Sequence, residues 1–311
     1  MAENDLKIAV MGAGAVGGYY GARLAAGGTD VTFIARGAHL RAIRENGLQV
    51  RSPLGDVTID PAKSTDDPGE VGPVDIVLLM VKLYDVAAAA ERIWPMLEPE
   101  TGVVALQNGV DAPDILGNTI GREHVLAGSI YIPAMIEEPG VIVHGGDFAK
   151  AVFGELNGDR SGRAEALLRA FRDAGVDAEI TDDVESTLWT KFVLLCAVSA
   201  TNAITRGPTR PVLQDPDMRG MFTDALRETE AVARARGVNL DPDIVAKQLA
   251  MAEAFPADVK ASLLQDLEAG KRLEVEYLSG TVSRLGAEHG VATPVHSTIY
   301  AALKPFMNGG G

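Results

Sequence analysis

The chain has one cysteine among 311 residues, Cys196, which excludes an intramolecular disulfide and a cysteine-built metal cluster. No metal site is expected from the rest of the sequence. Cations are also scarce: 28 Lys and Arg stand against 43 Asp and Glu, a formal net charge of −15. That balance argues against nucleic acid or an anionic membrane as a partner. No uninterrupted apolar run reaches membrane-spanning length. The acidic start Met1-Ala2-Glu3-Asn4-Asp5 lacks the apolar segment of a signal peptide. Internal repeats are absent, and Gly309-Gly310-Gly311 reads as a frayed tail. What remains is a soluble, cytoplasmic protein, monomer or homodimer, with 47% hydrophobic residues and enough length for two domains.

Glycine, in contrast, is concentrated. Val10 to Ala25 holds Gly12, Gly14, Gly17, Gly18 and Gly21, although glycine is costly inside regular structure. Lys7 to Met11 reads as a short buried strand and Tyr19 to Ala26 as a helix. Between them Gly12-Ala13-Gly14-Ala15-Val16-Gly17 has the spacing G-x-G-x-x-G. In a dinucleotide-binding unit Gly12 makes the tight turn, Gly14 admits a pyrophosphate and Gly17 lets helix pack on strand. The unpaired N–H groups at the helix start then face the phosphates.

A second strand, Asp30 to Ala35, follows the helix. NAD-specific sites usually end this strand with Asp or Glu, which binds the ribose 2′-hydroxyl. Here it ends at Ala35-Arg36-Gly37. A guanidinium suits a phosphate, so Arg36 favours NADP(H); the alternative is a solvated surface arginine.

Strand and helix patterns alternate through the first half. Val74 to Val81 and Gly102 to Leu106 are apolar runs of the kind found in parallel strands covered on both faces. Val86 to Leu97 reads as a helix, and Val125 to Ile136 and Gly140 to Phe153 as later strands. Arg163 to Ala174 reads as a helix and Ala178 to Ile180 as a strand. These features predict a doubly wound α/β sheet. At Asp182-Asp183 the pattern changes, and Asp182 with Glu185 is a candidate capping box. Helices are expected over 184–205, 217–236, 242–253, 257–268, 272–289 and 295–304. The domains are therefore expected to be 1–182 and 183–311.

Ligands of a doubly wound sheet sit beyond the carboxyl ends of its strands. Lys82 and Asn108 end two successive strands there, either as cofactor- and substrate-facing groups or as a surface lysine and a turn-forming Asn-Gly. Lys191 lies in Leu188-Trp189-Thr190-Lys191-Phe192-Val193-Leu194-Leu195-Cys196, a helix apolar on nearly every face. Desolvation makes such an ammonium a better proton donor near neutrality; the alternative is a lysine snorkelling out at the helix edge. Cys196 reads as a small buried residue. By its own pattern Glu274 is a solvated carboxylate near a helix start, and His144 supports a turn.

Taken together, these segments resemble the ketopantoate reductases (2-dehydropantoate 2-reductases) over essentially the whole chain. The matching pieces are Gly12 to Gly17, Ala35-Arg36-Gly37, Val81-Lys82, Gln107-Asn108-Gly109, Val141 to His144, Leu188-Trp189-Thr190-Lys191 and Ser262 to Tyr277. The resemblance implies a Rossmann-type domain followed by an all-helical domain. It implies NADPH-dependent reduction of a 2-oxo acid, ketopantoate to pantoate, in pantothenate biosynthesis. It implies Lys191 as general acid and Glu274 as the acidic residue that positions lysine and substrate. Asn108 would hold nicotinamide and substrate, Ser262 would bind substrate, and Lys82 would lie near both ligands.

One departure stands out. The better-known reductases carry asparagines four and eight residues after the lysine, where this chain has Leu195 and Ser199. Ser199 is retained as a substrate-binding candidate. Asn202 returns to nearly the same helix face, but about 16 Å along the axis. Three readings stay open: ketopantoate reductase, a reductase of another 2-oxo acid, and a non-catalytic NADP(H)-binding regulator.

Overall fold

The computed structural model describes residues 6–310; Met1–Asp5 and Gly311 lie outside the described residues. The apolar runs of the first half form an eight-stranded sheet. In spatial order its strands are Asp177–Ile180, Lys150–Glu155, Val125–Tyr131, Gly102–Ala105, Ile76–Leu79, Lys7–Met11, Asp30–Ile34 and Ser64–Thr65. From Val125–Tyr131 to Ser64–Thr65 all neighbours are parallel, whereas Lys150–Glu155 pairs antiparallel with Val125–Tyr131. Ile76–Leu79 and Gly102–Ala105 are buried at every residue, as parallel strands covered on both faces must be. The chain leaves Lys7–Met11 for one side of the sheet and later returns to Ile76–Leu79 on the other. Strand order reverses between these two, and the crevice at their carboxyl ends is where such sheets bind ligands.

A second, smaller sheet was not legible in the sequence. Its order is Val57–Ile59, Leu48–Arg51, Val141–His144 and Ala134–Glu138. It packs on helix Ala15–Ala26, which also packs on Lys7–Met11 and Asp30–Ile34 of the large sheet. Two of the clustered glycines follow from this squeeze. A Cβ at Gly18 would lie 2.2 Å from Ile142 Cδ1, and one at Gly21 would lie 2.6 Å from Phe33 Cε1. His144 belongs to this small sheet, buried between Ser52 Oγ (2.8 Å) and Phe148 O (2.9 Å). It holds the turn 144–148.

Several expected elements are shorter than the sequence implies. The strand expected over 125–136 divides at Pro133, which has no N–H for a ladder, and its halves join different sheets. Likewise the expected strand 140–153 is two strands, Val141–His144 and Lys150–Glu155. Helix Val86–Arg92 stops before Trp94-Pro95, because a proline disfavours helical geometry at the residue before it. The helix expected over 272–289 begins only at Ser279, after a 3₁₀ turn Val275–Tyr277 and Leu278 at φ −112°, ψ −99°. The helix expected over 257–268 is only Ser262–Glu268. Helix Val184–Thr205 places Asp182 one position too early to cap it. Nor is the tail frayed through Gly310, whose N–H bonds Gly270 O at 3.2 Å.

The chain divides into two compact units. One holds the residues up to Gln107 together with Ala112–Val184, and the other holds Asn108–Asp111 together with the residues from Glu185 onward. The second unit is helical, with Val184–Thr205, Pro216–Ala235, Ile244–Glu253, Ser262–Glu268, Ser279–His289 and Pro294–Leu303 as its main elements. By length and composition Val184–Thr205 is apolar enough to cross a membrane. Its Trp189, Phe192, Val193, Cys196 and Ala197 instead build the unit's core with Phe222, Leu226 and Val282. A buried carboxylate, Glu228, accepts the N–H groups of Val295 (2.8 Å) and His296 (3.0 Å) and so caps helix Pro294–Leu303. Burial lowers the His296 pKa to about 4, so the ring is neutral between Thr229 and Ser279.

Candidate active site

In the first unit the Gly-rich turn runs from the end of Lys7–Met11 into helix Ala15–Ala26. Gly12 has φ +100°, and a Cβ there would lie 2.9 Å from the backbone nitrogen of Val81. It therefore closes the crevice at the strand-order reversal. A Cβ at Gly17 would lie 2.3 Å from Gly12 O, so the turn needs glycine there for its own packing. Gly14 differs, since a Cβ added to it would meet nothing within 4 Å. The protein itself does not require glycine at 14. A ligand approaching the backbone does, which is what a pyrophosphate at this helix start demands. Gly14 is also the helix N-cap, with no side-chain cap and no acidic residue in the first turn. The helix start thus presents its N–H groups and positive dipole end without an internal competitor. Ala13, Ala15 and Val16 complete this cradle, which fits a dinucleotide diphosphate.

Two more cations stand at neighbouring strand ends. Arg36 follows Asp30–Ile34 as the N-cap of helix Gly37–Asn46. Its guanidinium, 72% exposed, is 3.2 Å from Asp85 Oδ2. Lys82 follows Ile76–Leu79 and starts the 3₁₀ turn Leu83–Asp85. Two supports of this region escaped the sequence reading. His39 Nδ1 accepts from Gly140 N (3.0 Å), so Nε2 carries the proton and donates to Ala13 O at 2.9 Å. Burial lowers the His39 pKa, which keeps the ring neutral and the Gly-rich turn tied to the small sheet. Gln107 Nε2 donates to Leu79 O (2.7 Å) and prolongs the ladder past the last paired strand residue.

In the helical unit Lys191 is held from a distance of 83 residues: its Nζ donates to Asn108 Oδ1 at 2.7 Å. Desolvation lowers the Lys191 pKa from 10.5 to about 8, so the amine is still mainly protonated at neutral pH but gives up its proton readily. Leu195 and Ser199 follow on the same helix face at successive turns. Leu195 is partly buried, and the Ser199 hydroxyl is buried with no hydrogen-bond partner among the described residues. Asn202 faces inward and is structural. Its Oδ1 accepts from Ala261 N (2.9 Å), and its amide bonds Thr209 Oγ1, which anchors the residue before Ser262. Ser262 itself is the exposed first residue of Ser262–Glu268. Glu274, read from its own pattern as solvated, is buried at 6% exposure, because the helix break places it at the start of the 3₁₀ turn. Cys196 is buried, and burial holds its thiol well above the usual range, so it is no nucleophile. Among the described residues no cluster of three or more His, Cys, Asp or Glu is placed to hold a metal ion.

Residues 8–158 match the family described as "Ketopantoate reductase PanE/ApbA", and residues 183–307 match "Ketopantoate reductase PanE/ApbA C terminal". A 2-dehydropantoate 2-reductase of Archaeoglobus fulgidus is 33% identical, covering 97% of this chain and 98% of the relative. The crystal structure of a PanE/ApbA family ketopantoate reductase from Ralstonia eutropha is similar at TM-score 0.90 and 34% identity, over 97% of this chain and 98% of that one. The same fold carries D-mandelate dehydrogenase, seen with NADH and anilino(oxo)acetate, at TM-score 0.87 and 25% identity over 97% and 98% of the chains. A nicotinamide dinucleotide is accordingly the cofactor class.

The glycines separate packing from binding. Gly17→Ala is expected to destabilise the fold by about 1–3 kcal/mol, because backbone must move. Gly14→Ala is expected to keep the wild-type melting temperature and weaken dinucleotide binding roughly tenfold or more, one tenfold step being about 1.4 kcal/mol. Thermal melts and fluorescence titration with reduced dinucleotide check both; undiminished binding by Gly14→Ala removes the pyrophosphate from that position.

Proposed function

The chain belongs to the ketopantoate reductase family, and on that footing we propose that it is an NADPH-dependent 2-oxo acid reductase, with ketopantoate as substrate and pantoate as product. The observation that carries this reading is the Lys191 ammonium, desolvated and hydrogen-bonded to Asn108. A bound nicotinamide supplies the hydride. Lys191 gives its proton to the substrate oxygen as negative charge develops there. Asn108 Oδ1 accepts one N–H of the ammonium and so orients it. Glu274, buried in the same unit, positions lysine and substrate. Ser262 and the unpartnered Ser199 hydroxyl offer donors to the polar groups of the substrate. The first unit holds the cofactor through Gly12 to Gly17, with Arg36 and Lys82 at the neighbouring strand ends. A regulator that only bound the dinucleotide would have no use for a desolvated lysine.

Leu195 favours a second reading of the substrate. Leucine offers apolar contact where an asparagine would hydrogen-bond a hydroxyl, and an apolar wall discriminates weakly between acids with and without that group. On this reading the enzyme also accepts apolar 2-oxo acids.

NADPH oxidation measured against a panel of 2-oxo acids tests both readings. Turnover is expected, and Lys191→Met is expected to lose roughly 10²- to 10⁴-fold in kcat with dinucleotide binding intact. Near-normal turnover by that variant removes Lys191 from the chemistry. The ratio of kcat/KM for ketopantoate and for 2-oxoisovalerate, which lacks the hydroxyl, decides the substrate. A preference of several orders of magnitude for ketopantoate rejects the second reading.

The choice of NADPH rests on Arg36. An exposed ion pair such as Arg36 with Asp85 is worth little, about 0–1 kcal/mol, so a 2′-phosphate displaces Asp85 at small cost. Arg36→Ala is expected to lose about 1.5–3 kcal/mol of binding for NADPH and little for NADH. Equal effects on the two affinities exclude Arg36 as the phosphate ligand.

A further inference from the structure

The loop Asn108–Asp111 leaves the strand Gly102–Ala105 of the sheet, yet it clusters with the helical unit. Three anchors account for this. Asn108 meets Lys191, and Val110 packs on the helical core. The third anchor is Asp111. Its Oδ2 accepts from Thr281 Oγ1 at 2.5 Å, and its Oδ1 accepts from Arg284 at 2.7 Å. Thr281 is buried, while the Asp111 carboxylate is 17% exposed. Both bonds go to helix Ser279–His289, and the one to Arg284 is charge-assisted on both sides. Between Asn108 and these anchors lies Gly109 at φ +146°, a residue that imposes almost no backbone preference of its own. The position of Asn108 is therefore set from the far end of the loop.

We propose that Asp111 is a positioning residue: the hydrogen bonds it accepts from Thr281 and Arg284 clamp the loop to the helical unit and keep Asn108 Oδ1 on the Lys191 ammonium. The proposal rests on the reductase reading for its catalytic consequence. A displacement of 1 Å in a positioned group is enough to cost on the order of 10²-fold in rate. The clamp thus governs kcat through Asn108, while neither Asp111 nor its partners touch substrate.

The test removes the partners and leaves the loop sequence alone. In Thr281→Val with Arg284→Gln, Asp111 keeps its charge and Asn108 and Lys191 are unchanged. The expected result is a fall in kcat of roughly tenfold to 10²-fold, with KM for the 2-oxo acid and NADPH affinity within about threefold. The ¹⁵N side-chain amide signal of Asn108 in the ligand-free protein, assigned by its loss in Asn108→Asp, is expected to leave its wild-type position. Arg284→Gln alone alters one exposed residue, and is expected to give a smaller change in both readouts. Asp111→Asn, which keeps an acceptor for Thr281, is expected to retain most of kcat. An unmoved Asn108 signal, or a moved signal with wild-type kcat, overturns the proposal. A wild-type protein inactive on every 2-oxo acid overturns the functional reading instead, and the amide signal then decides whether the clamp holds Asn108.

Discussion

The proposed chemistry of this chain depends on the hydrogen bond between the desolvated Lys191 ammonium and the side-chain amide of Asn108. Lys191 sits on a helix whose other residues are mostly apolar core, so its ammonium has lost much of its water. Desolvation destabilises the charged form, and Asn108 Oδ1 restores part of what solvation provided. The balance leaves an amine that holds its proton at neutral pH without holding it tightly. A lysine in water at its ordinary pKa is a poor proton donor at pH 7; a fully buried, unpaired one would lose its charge. Burial in the helical unit sets the intermediate case, and the loop Asn108–Asp111 brings the amide to the ammonium.

The cofactor side follows from a different constraint, the approach of backbone to ligand. The clustered glycines look alike in the sequence but answer to different neighbours. Gly12 keeps clear of Val81, Gly17 serves the turn's own backbone, Gly18 and Gly21 make room for Ile142 and Phe33, and Gly14 faces open space. His39 then ties the carbonyl of Ala13 to the small sheet. The small sheet is thus a buttress for the dinucleotide cradle, pressing on the helix that presents its N–H groups.

Local signals were legible in the sequence because they are carried by residues close together in the chain. The G-x-G-x-x-G spacing sits between a strand and a helix, and Lys191 interrupts an otherwise apolar helix. Those two features pointed to the cofactor class and the candidate proton donor, and the alternating apolar runs to the doubly wound sheet. What escaped depends on partners remote in sequence. Strand Leu48–Arg51 pairs in parallel with Val141–His144, and no local pattern announces that sheet. Asp111 meets Thr281 across 170 residues. Asn202 shares a helix face with Lys191 but bonds Ala261 and Thr209, a structural duty that helical spacing alone does not reveal. Glu274 looked solvated because the sequence pattern suggested a continuous helix where the chain breaks.

The direct measurement is the titration of Lys191 itself. In protein labelled with ¹³C-lysine, the Cε resonance of Lys191 can be assigned by its absence from a variant lacking that residue and followed against pH. The expected midpoint is near 8, as desolvation by burial requires. A midpoint near the ordinary lysine value of 10.5 would contradict it, because the ammonium would then be solvated and no better a proton donor than any surface lysine.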